Sequence, residues 1–237
     1  MSITLTEEDK KQLQEKGYII IKKFYSKEDI ISMRKVITNV INKHHNIMDL
    51  GNQSGSKPDF IRDSQYKNMI PLLRINDIHK VMAQIFNAPF HFCFHNDIGI
   101  NRIVNWHKDT LNNQYKVYQK KNLWLEYEGE KHEIYKFLIY LQDHSNNKNG
   151  LQLIEGSHLD PIINVKNNEI KQIYSNIGDI VIFDQRITHR GQYNQDMQFD
   201  RILVSLGFGK NNIFTKEFEE GTIRRQNDQN KIIRKKF

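Results

Sequence analysis

The feature that most constrains the fold is a change of pattern near residue 90. Before it, apolar residues recur at helical spacing behind capping signals. After it, short runs rich in β-branched and aromatic residues alternate with polar loops. Phe90 to Val104 is one such run, Ile134-Tyr135-Lys136-Phe137-Leu138-Ile139-Tyr140-Leu141 is a strand, Ile180-Val181-Ile182-Phe183 is short and apolar, and Arg201 to Phe208 is a further strand. On the helical side, Thr6 precedes Glu7, Glu8 and Asp9, and Gly17 stops the first helix. A β-branched strand from Tyr18 to Lys22 follows. Ser26-Lys27-Glu28-Asp29 has the form of a capping box and opens a second helix with Ile30, Ile31, Val36, Val40 and Ile41 on its apolar stripe. Asp77 is placed to cap a third helix from Ile78 to Phe86. Helices first and strands after specify an α+β chain, mainly β, built on one main β-structure. Residues 46–68 and 111–133 read as polar surface loops, the second long enough to act as a lid. The expected organisation is one domain over 1–237, with helical support to about 88, a β core over about 89–210 and a basic C-terminal extension from about 211.

At 237 residues the chain can bury a full core. Its 38% hydrophobic and 27% charged residues exclude a disordered class. No apolar run reaches the roughly 18–20 residues of a membrane span, and Met1 to Glu8 lacks the basic start and apolar stretch of a signal peptide. The single cysteine, Cys93, excludes an internal disulfide and a thiolate-rich zinc site, and a reducing cytoplasm is the expected compartment. The net charge of +7 is concentrated locally in the tail, Ile223 to Phe237. A polyanion-binding patch and a solvated extension explain that run equally well. Lys, Asn and Ile are abundant throughout, so compositional bias accounts for the charge and a nucleic-acid partner ranks last. Monomer and homodimer are both compatible with the chain.

Within the strand-rich half lie His107 and Asp109, in Asn105-Trp106-His107-Lys108-Asp109-Thr110. In extended backbone, residues two apart point to the same side, so both can converge on one ion. Alone, such a pair is as well explained by a surface hydrogen bond. His189 follows Gly178-Asp179-Ile180-Val181-Ile182-Phe183-Asp184, a turn and buried strand that can deliver a third donor to the same point. Two imidazoles and one carboxylate bind one face of a non-haem Fe(II) and leave the opposite face open. Arg201, a short strand later, carries the planar fork that suits the carboxylate of an oxo-acid.

These motifs, with Gly17-Tyr18 leading a strand, Phe24-Tyr25, Asn149-Gly150 running into Gly156-Ser157-His158, Gly178-Asp179, Asn194 and Arg201 in order, resemble the phytanoyl-CoA dioxygenase family of Fe(II)/2-oxoglutarate oxygenases over nearly the whole chain. The resemblance implies a double-stranded β-helix, a jelly-roll or cupin-like barrel of two antiparallel sheets with flanking N-terminal helices. It implies Fe(II) held by His107, Asp109 and His189, 2-oxoglutarate paired with Arg201, and O2 as oxidant. The products would be succinate, CO2 and a hydroxylated small or carrier-bound substrate. Relatives with a small residue at the carboxylate position halogenate, so Asp109 favours hydroxylation. The chain departs from the family at Gly191, where a hydroxyl residue is common, and in a slightly longer spacing from His189 to Arg201. Gln192 or Ser205 are candidates to compensate, and Asn101 and Asn105 are candidates for the near end of the co-substrate. The alternatives are a catalytically silent metal-binding module and a nucleic-acid-modifying oxygenase.

The remaining polar residues carry weaker expectations. Arg186 and Arg190 flank His189, where a surface salt bridge and a pocket role favouring an anionic substrate both fit. His44, His45, His79, His132 and His144 are expected to be solvated. His91 and His95 are expected to pack in an aromatic strand, and His158 to serve its turn. Trp106 and Trp124 are expected to pack rather than to form substrate platforms.

Overall fold

The computed structural model describes residues 3–43, 55–109, 121–146, 149–166, 169–191 and 201–235. The elements are α1 (Glu7–Lys16), β1 (Tyr18–Ile21), α2 (Lys27–Lys43), β2 (Gly55–Pro58), α3 (Ile75–Phe86), β3 (Phe90–Ile100), β4 (Val104–His107), β5 (Ile134–Tyr140), β6 (Leu151–Ile154), β7 (Ile170–Gln172), β8 (Ile180–Asp184), β9 (His189–Gly191), β10 (Ile202–Lys210) and α4 (Ile213–Lys235). The strands form a six-stranded sheet, β1-β8-β5-β10-β3-β2, and a four-stranded sheet, β4-β9-β6-β7. Every pairing is antiparallel. These are the two walls of a double-stranded β-helix, the fold the resemblance implies.

The period-2 alternation of the long strands sorts residues between two cores. Phe137 and Ile139 of β5, Ile180 and Ile182 of β8 and Val204 and Leu206 of β10 face the helices, joining Ile30, Met33 and Ile37 of α2 and Ile78 and Met82 of α3. The alternate residues Leu138, Tyr140, Val181 and Phe183 face the small sheet, where they meet Leu151 and Leu153 of β6. This inner face is what positions the site. Cross-strand register stacks it in rungs: Gly99, Leu203 and Tyr140; then Asp97, Ser205, Leu138 and Val181; then Gly207, Lys136 and Phe183. A bulge between Leu206 and Phe208 breaks the pairing of β10 with β3 beside the last rung.

Local signals explain the element ends. Thr6 and Asp9 form a capping box on α1, and Gly17 ends that helix at φ +82. Ser26 and Asp29 exchange the same two hydrogen bonds ahead of α2. Gly178 has φ +89, and a Cβ there would come 2.3 Å from the Tyr25 carbonyl oxygen, so only glycine lets this turn approach.

Four expectations are corrected. The third helix starts at Ile75 behind Arg74, and Asp77 sits in its first turn, paired with Arg74 and not capping the end. The segment 46–68 is not all loop: Gly55–Pro58 pairs with β3 as an edge strand, and Phe60, Tyr66 and Met69 are buried behind it. Tertiary pairing overrides the poor strand propensity of Gly-Ser-Lys-Pro. His132 and His144 are buried, not solvated, whereas His79 is exposed as expected. Finally, the described part of the basic tail is the helix α4, docked on β3 with Phe214, Phe218, Arg225 and Gln226 buried. Residues 111–120 of the 111–133 insertion, and His44 and His45, lie outside the described residues.

Candidate metal centre and co-substrate pocket

β4 and β9 pair with His107 opposite His189. β4 ends at His107, and the chain leaving it brings Asp109 beside His107 and His189 while Lys108 turns away from them. There Lys108 is fully buried and donates to the carbonyl oxygens of Ser157 and Arg186. This anchor holds the strand end so that His107 and Asp109 both face inward. The donor atoms of His107, Asp109 and His189 all lie within 4.8 Å of one another. His107 Nε2 is 3.4 Å and His189 Nε2 is 3.9 Å from Asp109 Oδ1.

The far nitrogen of each imidazole is committed. His107 Nδ1 is 2.7 Å from the Asn105 carbonyl oxygen, and His189 Nδ1 is 3.0 Å from that of Ile187. An Nδ1–H donated to a backbone carbonyl leaves Nε2 as the lone-pair donor, the tautomer a metal needs. Two imidazoles and one carboxylate turned toward a shared point fit a divalent ion such as iron, which would take three positions here and displace any proton from Nε2.

Charge supports the same reading. Burial alone would raise the Asp109 carboxyl, but Lys136, then His107 and His189, hold it well below the ordinary carboxylate range. Burial and then the neighbouring His107 pull His189 down to about 4, so it stays neutral and able to ligate. Burial works against His107, yet the hydrogen bond and charge of Asp109 raise it.

The triad opens on a cavity of about 150 Å³ between the sheets. One end is lined by Leu138, Tyr140, Leu151, Leu203, Gly191 and Arg201. Arg201 is buried, its guanidinium carbon 5.3 Å from the centre of the Tyr140 ring. Its Nε has no hydrogen-bond partner among the described residues, and neither has the Tyr140 hydroxyl. A buried cation and a buried hydroxyl left open into one cavity are a ready site for a carboxylate. A Cβ at Gly191 would lie 3.2 Å from Arg201 Nη2, a tight contact that a small shift of the guanidinium would relieve. The glycine that departs from the family pattern therefore lies directly against the guanidinium.

The other sequence candidates fall differently. Asn101 is buried and its Oδ1 accepts from the Arg201 amide, so it fixes where Arg201 leaves the backbone and does not line the cavity. The Asn105 residue is exposed, and only its backbone touches the centre. Ser205 lines the cavity, 3.3 Å from His95 Nε2. Gln192 and Asn194 lie outside the described residues. Neither Arg186 nor Arg190 is among the cavity's lining residues: Arg186 is paired with Asp184 and donates to the Leu123 carbonyl, while Arg190 donates to Gln152 and stacks over Trp106 at 4.7 Å. Trp124 donates to the His158 carbonyl, and His158 Nε2 is 3.0 Å from that of Gln14, structural roles for both.

Several lining residues were not anticipated from the sequence as site residues, among them Tyr140 and Arg102. Lys136 is buried beside Asp109, and His95, Asp97 and Arg225 complete the far end of the cavity. For Lys136 a signal existed, a lone charge inside the apolar run Ile134 to Leu141, since charges are rarely buried without a partner. For Arg225 there was none.

The buried histidines carry a pH prediction. Burial draws His95 to about 3 and His132 to about 4, as it does His189. Each is neutral in the folded metal-free protein but titrates near 6.5 when unfolded. Between those values the unfolded chain binds more protons, so their stability is present above 6.5 and is lost as pH falls. The raised His107 opposes this. The expected cost is roughly 1.5–2 kcal/mol per depressed histidine between pH 7 and 5. Urea midpoints of the metal-free protein should fall across that interval, and equal midpoints would contradict neutral burial.

Comparison with known proteins agrees with this architecture. HygX from Streptomyces hygroscopicus, solved with nickel and 2-oxoglutarate, superposes with a TM-score of 0.66 at 15% identity, covering 88% of each chain. EctD from S. alaskensis with bound Fe gives 0.67 at 14%, covering 87% of this chain and 77% of its own. AviO1 from Streptomyces viridochromogenes Tue57 gives 0.65 at 14%, covering 88% and 97%. At such identities the likeness shows the fold. No curated protein sequence matches the chain. The family model of Phytanoyl-CoA dioxygenase (PhyH) matches residues 13–201, a span that runs from α1 through His107, Asp109 and His189 to Arg201, and the chain therefore belongs to the phytanoyl-CoA dioxygenase family.

Proposed function

We propose that the protein is an Fe(II)- and 2-oxoglutarate-dependent dioxygenase that hydroxylates an unactivated C–H bond of a small or carrier-bound substrate. The observation that carries this reading is the shared cavity: a His-Asp-His donor set and a buried, open-ended arginine face one space. Iron with 2-oxoglutarate and O2 supplies the oxidising chemistry, releasing succinate and CO2. The chain's own residues do the rest. His107, Asp109 and His189 hold the metal through one face. Arg201 receives the distal carboxylate of 2-oxoglutarate, with the Tyr140 hydroxyl beside it, and Asn101 sets the position of Arg201. Leu138, Leu151 and Leu203 keep that end of the cavity apolar, which excludes water and strengthens the charge pairing. HygX and EvdO2, two proteins of this fold, have been solved with 2-oxoglutarate.

The test is anaerobic addition of Fe(II) and then 2-oxoglutarate to the metal-free protein. A weak visible charge-transfer band that appears only with both, and is lost on admitting oxygen, is the expected result. Bound iron without a band would overturn the 2-oxoglutarate assignment and favour a metal-binding module without turnover.

A further inference from the structure

The far end of the cavity is built from charges. Arg225 of α4 reaches through to Asp97 of β3 and pairs with both its oxygens, at 3.0 and 2.9 Å. Lys136 of β5 lies one rung away, with 3% of its side chain exposed. Its Nζ is 2.6 Å from His95 Nε2 and 3.6 Å from Asp109 Oδ2. Two buried cations therefore face two part-buried carboxylates, but the pairs differ. Asp97 is engaged at two points by Arg225. Asp109 is the carboxylate for Lys136 and also the one carboxylate of the metal set. An ion bound there draws on the charge of Asp109, and Lys136 is left as a cation pointed into the cavity against a neutral imidazole. Buried charge without a counter-charge is costly, so the loaded site favours whatever brings one.

We propose that Lys136 recognises the primary substrate through an oxyanion, a carboxylate or phosphoryl oxygen, attached within a few bonds of the carbon that is oxidised. The short distance from Nζ to Asp109 is what ties the oxyanion to the reacting carbon. Arg225 and Asp97 hold the wall behind it, and Ser205 lies on the rung of Asp97, next to that of Lys136. Lys136 is thus a specificity-determining residue, and the substrate class is small organic acids, phosphorylated compounds or phosphonates. This rests on the assignment of the triad and Arg201 to iron and 2-oxoglutarate.

The experiment follows the charge-transfer band of the protein loaded anaerobically with Fe(II) and 2-oxoglutarate. Propionate and methylphosphonate are the oxyanion probes, and propionamide and propylammonium are the neutral and cationic controls. In the wild-type protein the oxyanions shift the band and the controls do not. In Lys136→Met the band still forms, but the apparent dissociation constant for the oxyanions rises at least about tenfold. Lys136→Arg, whose side chain stays charged in any protein environment, restores most of the response. A wild-type response to propionamide or propylammonium as strong as that to propionate overturns the proposal without need of a variant. So does the absence of any oxyanion response, or an equal response in Lys136→Met. A wild-type protein that forms no band at all overturns the iron and 2-oxoglutarate assignment itself, a distinct failure that removes the basis for this one.

Discussion

Asp109→Ala, like His107→Ala, abolishes metal binding and turnover. Each substitution removes one of only three protein donors, and Asp109 is the only charged one. Two imidazoles would then face a divalent ion beside the ammonium of Lys136, 3.6 Å from where the carboxylate had been. The expected loss of metal affinity exceeds the roughly 10–100-fold typical of removing a supporting residue around a metal ligand. Titration with Co(II), read by its visible spectrum, measures this without any substrate. Asp109→Ala also leaves Lys136 buried without that carboxylate, which costs about 3 kcal/mol or more in the metal-free fold. His107→Ala lacks that second penalty, so it separates a lost ligand from a damaged fold. Metal affinity retained in either variant would sink the assignment.

Arg201→Ala leaves iron binding intact but raises the 2-oxoglutarate requirement. Arg201 touches none of the three metal donors, and its backbone is held by Asn101, so removing the guanidinium disturbs the cavity and not the triad. The side chain is buried, and a charged hydrogen bond in such a place is worth about 2–3 kcal/mol, or roughly 30- to 150-fold in the concentration of 2-oxoglutarate needed. Arg201→Lys should recover part of it, because an ammonium keeps the charge but not the two-point fork. Anaerobic titration of the charge-transfer band gives the affinity directly. An unchanged requirement in Arg201→Ala would mean that another group holds the distal carboxylate.

The strand pattern after residue 90, the capping boxes at Thr6 and Ser26 and the spacing of His107, Asp109 and His189 were readable because they are local. A cap needs a residue and its neighbour three positions on, and alternation needs only adjacent residues. The His-x-Asp pair is local in its spacing, though β4 ends at His107 and Asp109 meets the two histidines just past the strand. Arg201 could be named as a candidate, but that Gly191 lies against its guanidinium depends on β9 of the small sheet and the start of β10 in the large sheet facing each other across the cavity.

Long-range burial decides the features that local pattern does not encode. Gly55-Ser56-Lys57-Pro58 became a strand because β3 offered an unpaired edge. His132 and His144 looked like loop histidines and are buried by segments distant in the chain. The tail reads equally as a solvated extension and as a polyanion-binding patch. Instead Phe214 and Phe218 dock α4 on the large sheet, and Arg225 becomes a wall of the cavity through a partner 128 positions away.

The sequence by itself determined the class of fold, its helical and strand halves and the residue types of a His-Asp-His centre with a nearby arginine, because these follow from neighbouring residues and backbone period. Only the tertiary structure decided which charges face the cavity with them. Register selects the inward face of each strand, and burial selects which charges must find partners: His95, Asp97, Lys136 and Arg225 share one end of the cavity only once β3, β5, β10 and α4 are packed together.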